Sequence, residues 1–548
     1  MGWSDTQEIQ QQLDAALSEY QWQAASRVCD RLIQRIHQEK TPCPDVDAKA
    51  VLALLRRKRQ FALIVRVAEA FIRSGQQSSQ VRRQYAQALI EQRILLAPEP
   101  FLQSLAAEPL GDGSEVAEAH GLLGRIYKQL YVDAGRPPNP YGRLFFERAL
   151  SEYLQTYRLD PEQNTWHGIN AVALLHRARV DGLDVRLAPS ADVLADEILA
   201  ALPEPSKGAG VFDLATRLEA LVALGRQADA ERTVVAYVDH PQADAFEVGS
   251  TLRQFEEVWR LDPGSPPGST ILPVLRAAKL RCEGGGLAID ATRVDDEIRA
   301  VQQAARNLET QGPQLEKVFG PDRTVTLHWY ETGLQRTKAV ARVERLNGKG
   351  HGTGWLVKAA DFFPPEMLPP GDPPLLLLTN AHVVNNGGTG GALAPDEARA
   401  NFQGLGTRLD FDRVFWSSPS SELDATFLAF KDNARPAAPA IPLYPKRVEF
   451  TQPAPRIYII GHPGGRDIEL SLNDNLLLGY REPLLHYRTP TEGGSSGSPV
   501  FEAGDWRAVA LHHAGGTLER LDGTQPPYDA NEGISLAAIR EAIKLVVT

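Results

Sequence analysis

Near its C-terminal end the chain reads Gly493-Gly494-Ser495-Ser496-Gly497-Ser498-Pro499-Val500, and no other stretch constrains the fold as much. Small residues on both sides of a serine, closed by Gly and Pro, make a tight turn. Such a turn exposes one hydroxyl and gathers backbone N–H groups toward a common point. Ser496 is the expected nucleophile, because only it has Gly497 next to it and Gly494 two before it, whereas Ser495 and Ser498 do not. The N–H groups of Gly494 and Ser496 would hold a developing oxyanion, each such donor contributing roughly 3 kcal/mol of transition-state stabilisation. Gly497 and Pro499 then turn the chain into a strand beginning at Val500-Phe501.

A run of glycine and serine alone describes a flexible loop more often than a reactive site. The reading becomes specific through two segments upstream. Thr379-Asn380-Ala381-His382-Val383-Val384 places a histidine directly after an apolar run, Leu375 to Leu378, that reads as a buried strand. Leu423-Asp424-Ala425-Thr426-Phe427-Leu428 places an aspartate at the opening of another strand. The rival acids Asp410 and Asp412 sit in a more irregular stretch. His382 would remove the proton of Ser496, and Asp424 would hold the imidazole in the right tautomer.

Together with Gly352-Thr353-Gly354-Trp355-Leu356-Val357, these segments in the order His, Asp, Ser resemble the chymotrypsin-like (trypsin-like) serine peptidases, and within them the bacterial glutamyl endopeptidase branch. The resemblance spans about the last 230 residues of the chain and implies two six-stranded β-barrels with the catalytic residues in the cleft between them. It also implies a substrate pocket with one wall in Val509 to Gly516, including Gly515. There, histidine at the place of His513 and threonine at the place of Thr491 would contact an acidic side chain. His512 and His513 read equally as ordinary strand residues, and Glu492 would repel an acidic substrate. Digestive members of the group are switched by a freed N-terminus that pairs with an aspartate just before the nucleophile. Ser495 stands there in this chain, so that route is closed. His462, in Gly461-His462-Pro463-Gly464-Gly465, reads as structural, and Ser535 to Val547 as a C-terminal helix.

At 548 residues the chain has room for several domains. A net charge of −11 argues against a nucleic-acid surface, because phosphate binding requires clustered cations. Cys29, Cys43 and Cys282 are few and odd in number, which fits reduced thiols in a cytoplasmic protein better than a disulfide framework. Met1 to Leu17 is polar and lacks an apolar signal core, and no window approaches a membrane span.

From residue 1 to about 315 the pattern is helical. Ile9, Leu13, Leu17 and Tyr20 share one face, and Ala25, Val28, Leu32 and Ile36 another. Short helices with single apolar stripes must stack on neighbours to stay folded. Leu123-Gly124-Arg125-Ile126-Tyr127 has the Leu-Gly-x-x-Tyr core of a tetratricopeptide helix, and Ala223-Leu224-Gly225-Arg226 is a partial match. Tyr157-Arg158-Leu159-Asp160-Pro161 and Trp259-Arg260-Leu261-Asp262-Pro263 read as repeated helix ends. The stretch from Gly124 through Trp166-His167-Gly168-Ile169-Asn170-Ala171 resembles the tetratricopeptide-type TRAF-binding region found beside signalling kinases and in bacterial multidomain proteins. That resemblance implies an α-solenoid with a concave face for a protein partner.

The expected architecture is multidomain α + β. An α-solenoid comprises a helical repeat region at 1–110 and a tetratricopeptide-like region at 111–320, and a double β-barrel of chymotrypsin type follows at 321–548. His328 to Thr337 reads either as a bridging helix or as connecting chain. The expected activity is that of a serine endopeptidase acting on protein substrates without metal or cofactor, recruited or regulated by its helical half. The alternative is an inactive peptidase fold that serves as a binding scaffold.

Overall fold

The computed structural model describes the chain apart from residues 1–2, 4–5, 19–21, 109–112, 136–138, 186–188, 204–207, 283–286, 311–322, 372–373, 449–454, 472–475, 489–493, 526 and 546–548. Its contacts divide it into two compact units, Met1–Tyr237 with Arg253–Leu261, and Val238–Leu252 with Asp262–Thr548.

The first unit is helical, as the apolar periodicity requires. Leu13 and Leu17 of the helix Thr6–Ser18 are buried with Ala25, Val28, Leu32 and Ile36 of the helix Trp22–Gln38, in one cluster that also takes in Val51, Ile64, Val67 and Phe71. Tyr20 lies outside the described residues. The Leu-Gly-x-x-Tyr core falls in the helix Gly113–Asp133, where a methyl group on Gly124 would stand 2.8 Å from the Tyr153 ring. Only glycine lets the helix Pro140–Leu159 approach so closely. The two look-alike helix ends are reached differently. Pro140–Leu159 stops as an ordinary α-helix, whereas Gln254–Trp259 is a turn of π-helix closed by Arg260 in the left-handed region. That turn supplies Gln254 and Trp259 to a buried polar cluster. Gln254 Oε1 accepts from Lys128 Nζ at 2.7 Å, and Glu219 Oε2 accepts from Trp259 Nε1 at 2.7 Å.

In the second unit the strands are β1 (Leu287–Ala288), β2 (Val340–Arg345), β3 (Gly350–Lys358), β4 (Leu375–Thr379), β5 (Ala398–Phe402), β6 (Thr407–Ser418), β7 (Ala425–Phe430), β8 (Ile457–Gly461), β9 (Glu469–Ser471), β10 (Leu477–Arg481), β11 (Leu484–Tyr487), β12 (Pro499–Glu502), β13 (Ala508–Leu518) and β14 (Tyr528–Ser535). The helix Leu536–Leu545 closes the described chain. Six strands form a closed barrel in the order β2-β3-β4-β7-β6-β5. The rest form an eight-stranded sheet in the order β1-β9-β8-β12-β13-β14-β11-β10. A bridge between Arg456, just before β8, and Leu476, just before β10, draws the end of that order back toward its start, as a second barrel would.

The second sheet has eight strands where the resemblance implies six, and one of them, β1, comes from the helical stretch. β1 pairs with β9 through Leu287 opposite Leu470 and Ala288 opposite Glu469, which covers an otherwise open sheet edge. The sheet is also seated on the helix Arg323–Thr337. Trp329 donates its indole N–H to the Ala503 carbonyl at 2.9 Å and accepts from the Trp506 indole at 2.8 Å. The two rings lie 4.9 Å apart, and Tyr458 stands 5.1 Å from Trp329. His328 to Thr337 is therefore helical and packs on the second sheet.

Candidate active site

β4 carries the apolar run Leu376–Leu378, buried in the first barrel, straight into the turn that presents His382. The Asn380 carbonyl accepts from the N–H groups of Val383 and Val384, each at 3.1 Å, which closes that turn. Asp424 precedes β7, pairing partner of β4, so the two residues emerge side by side. Asp424 is fully buried and held at φ +44°, a conformation costly for a residue with a Cβ. Asn380 Nδ2 donates to its carbonyl at 2.8 Å, and its own N–H donates to the Pro419 carbonyl at 3.0 Å.

The carboxylate is wired on both oxygens. Oδ1 accepts the backbone N–H of His382 at 2.9 Å, and Oδ2 lies 2.6 Å from His382 Nδ1. An ionised carboxylate only accepts, so Nδ1 carries the hydrogen and Nε2 is left with a lone pair. Burial works against the charge, but the hydrogen bonds from His382 and His513 outweigh it and hold the Asp424 carboxyl down at about 2. Asp410 and Asp412, by contrast, pair with Arg399 at 3.5 Å and with Arg413 at 2.7 Å on β6.

The serine turn leads into β12. Glycine is required at both its ends. Gly494 has φ +98° and Gly497 φ +87°, and a methyl group on Gly497 would stand 2.0 Å from the Thr353 carbonyl oxygen. Three hydrogen bonds fix the turn. Thr353 N donates to the Ser496 carbonyl at 2.9 Å, Gly497 N to the His512 carbonyl at 3.0 Å, and Thr353 Oγ1 to the Gly494 carbonyl at 3.0 Å. Gly352 of β3 is where the two halves of the site meet. A methyl group there would strike Val383, the neighbour of His382, at 2.6 Å and the Ser496 carbonyl at 3.3 Å. Burial separates the three serines, since Ser495 and Ser498 are buried and Ser496 is partly exposed.

The residues expected to line the pocket divide. Thr491, like Glu492, lies outside the described residues, and Gly515 is exposed on β13 opposite Asn531 of β14. His513 Nδ1 lies 2.7 Å from Asp424 Oδ2, the same oxygen that takes His382. Its Nε2 stands 3.7 Å from Glu532 Oε1, and Glu532 Oε2 is bound to His486 Nε2 at 2.9 Å. β13 carries a register shift between His512 and Ala514 at this point. His512 points into the core against the Tyr487 hydroxyl at 2.8 Å, and burial pushes its imidazole down to about 3. His462 is likewise buried, bonded to the Arg466 carbonyl at 3.0 Å and pushed down to about 4. Donor atoms of His382, Asp424 and His513 lie within 4.8 Å of one another. The two hydrogen bonds to one carboxylate oxygen account for that closeness, and no metal is assigned.

Residues 352–511 match the family described as trypsin-like peptidase domain, and residues 60–175 match the family described as Tetratricopeptide Repeats-Sensor. The first match spans His382, Asp424 and Ser496, and the second spans Gly124 and Trp166. No curated protein matches the chain at a significant level. The chain carries a trypsin-like peptidase domain preceded by a tetratricopeptide-repeat sensor region.

Proposed function

We propose that the protein is a serine endopeptidase that cleaves protein substrates through His382, Asp424 and Ser496. The observation that carries this is the His382–Asp424 pair, in which one carboxylate binds both the ring and the backbone N–H of the histidine. That arrangement fixes the tautomer whose Nε2 can take the proton of Ser496 as its oxygen attacks a carbonyl. Asp424 stabilises the imidazolium that results and keeps its own charge. The N–H groups of Gly494 and Ser496 would hold the oxyanion of the tetrahedral intermediate. Collapse of that intermediate gives an acyl-enzyme on Ser496, and His382 returns the proton to the leaving amine. Water then repeats the sequence and frees the acid. Incubation of an unfolded protein substrate with the wild type and with Ser496→Ala tests this reading. Peptides should appear with the first alone, and an equal yield from both would refute it.

An acidic preference rests on His513 and Thr491. Both ring nitrogens of His513 face carboxylates, so accepting an acidic side chain would require it to leave Glu532. The scaffold reading is weakened by the same wiring, because a module that only bound peptides would have no need of a buried carboxylate held in a costly conformation.

We further propose that the sensor region recruits a protein partner and restrains the peptidase until it does, and that the protein works in the cytoplasm. The thiols of Cys29 and Cys43, pushed up to about 12 by burial, suit a reducing compartment. A chain beginning at residue 262, where the second unit becomes continuous, should react with an active-site probe faster than the full chain. Equal rates would exclude restraint.

A further inference from the structure

The triad acid has a second imidazole that the reaction scheme leaves unused. Asp424 Oδ2 has two lone pairs, and two ring N–H groups fill them, His382 Nδ1 at 2.6 Å and His513 Nδ1 at 2.7 Å. The rings stand 6.1 Å apart at 69° to one another, so they meet at the oxygen without stacking. Behind His513, Glu532 of β14 faces Nε2 at 3.7 Å and is itself tied to buried His486 of β11. We propose that His513 is a positioning residue, a titratable clamp that fixes Asp424 against His382 and sets the basicity of His382 through the carboxylate they share. This inference rests on the triad reading above.

The physical consequence follows from charge. When His382 takes the serine proton, its new positive charge is stabilised by Asp424. If His513 is already cationic, that carboxylate is partly neutralised and a like charge stands across it, so His382 is a weaker base. When His513 loses its proton it keeps Nδ1–H and gives up Nε2–H. The hydrogen bond to Asp424 survives while the opposing charge disappears, and His382 becomes the stronger base. Asp424, through its hydrogen bond and its charge, and then Glu532 favour the cation and hold the His513 imidazole above its ordinary value against burial. His382 and His512 stand nearby, His512 neutral because burial pushes it down. His351 of β3 is depressed by burial and by its neighbours Arg345 and His382. The pH–rate profile should therefore carry an ionisation that disappears when residue 513 cannot titrate.

Three full-length proteins, wild type, His513→Gln and His513→Ala, distinguish the roles. Glutamine keeps an N–H donor for Asp424 but cannot titrate, and alanine removes the donor. For a clamp, alanine lowers kcat by about tenfold with KM nearly unchanged, the lower end for an outer partner that orients a working residue. Glutamine restores most of kcat but removes the extra ionisation from the pH profile. A pocket residue would instead raise KM for acidic substrates and leave kcat alone, and that result would overturn the proposal, as would a His513→Gln profile superimposable on the wild type. A readout independent of turnover is low-field proton NMR of the catalytically silent Ser496→Ala protein. Two strongly deshielded imidazole N–H signals are expected, one lost on adding His513→Gln. If neither the full chain nor the chain from residue 262 reacts with fluorophosphonate yet both signals are present, the peptidase reading fails and the clamp stands. A single signal that His513→Gln leaves intact refutes the clamp whatever the activity.

Discussion

Replacing Gly497 by alanine probes the seat of Ser496, the proposed nucleophile, without touching a functional group. Two costs add. At φ +87° a Cβ is strained by roughly 1 to 2 kcal/mol relative to glycine. The added methyl would also stand 2.0 Å from the Thr353 carbonyl oxygen and 2.5 Å from Thr379 Oγ1. Relief requires the turn to move by about 1 Å, which strains the bonds from Thr353 N to the Ser496 carbonyl and from Gly497 N to the His512 carbonyl, each contributing about 1 kcal/mol. The expected loss of stability is about 3 to 4 kcal/mol, read from urea or thermal unfolding. Because Ser496 moves with the turn, its reaction with a fluorophosphonate should slow about 100-fold, as a 1 Å misplacement of a reacting group does. Ser496→Ala is the control, since it keeps the turn and should unfold near the wild type. A Gly497→Ala protein as stable as the wild type and labelled at the same rate would refute this account of the turn.

Asp424→Asn keeps the size of the side chain but removes the charge and presents an amide that can donate, so His382 loses its tautomer. kcat should fall by about 10⁴ with little change in KM, measured on any peptide substrate that the wild type cleaves. Stability should fall with acid. His462 and His512, pushed down to about 4 and about 3, stay neutral in the fold and take up protons only on unfolding. Their contribution is whole above about pH 6.5 and is lost below it, at about 2.7 kcal/mol per pH unit for the pair between about pH 6 and 4. Asp424, held at about 2, extends the loss between about pH 4 and 2. His513 has the opposite sign, its raised value adding stability below about pH 6.5 that fades as pH rises through its folded value. Urea midpoints across pH check these signs, and a flat profile from pH 7 to 4 would contradict the buried neutral imidazoles. In the sensor region, burial pushes Lys128 down to about 7 and raises Glu219, with Gln254 bridging them. Lys128→Met alone should cost about 3 kcal/mol by leaving Glu219 buried without its cation, and Lys128→Met with Glu219→Leu should recover most of it. Additive losses would show that the two do not interact.

The candidate triad residues were legible because each lies in a local pattern with its own physical reason. His382 follows an apolar strand, Asp424 opens one, and Ser496 sits between two glycines whose positive φ the structure requires. The helical half was legible in its periodicity, and Gly124 in its motif, because close helix approach depends on one residue. What escaped sequence reading depends on distant partners. Two residues, Leu287 and Ala288, are too short a strand to stand out until β9 offers them an edge. Trp329 and Trp506 lie far apart in the chain, yet each indole bonds to backbone in the other's neighbourhood. The contact of His513 with Asp424 escapes sequence reading for a related reason. Asp424 lies 89 residues away in sequence, and β13 carries a register shift between His512 and Ala514 that pattern alone does not announce. The adjacent pair His512-His513 was the only available hint, and it carries no sign of a bulge.

The most direct test of the central claim is reaction of the purified full-length protein with a fluorophosphonate probe, beside Ser496→Ala, with the modified residue located by peptide mass spectrometry. The account predicts one adduct, on Ser496, absent from the variant and formed faster as pH rises through neutrality. Equal labelling of the two proteins, or none in the wild type either as the full chain or as the chain from residue 262, would contradict it.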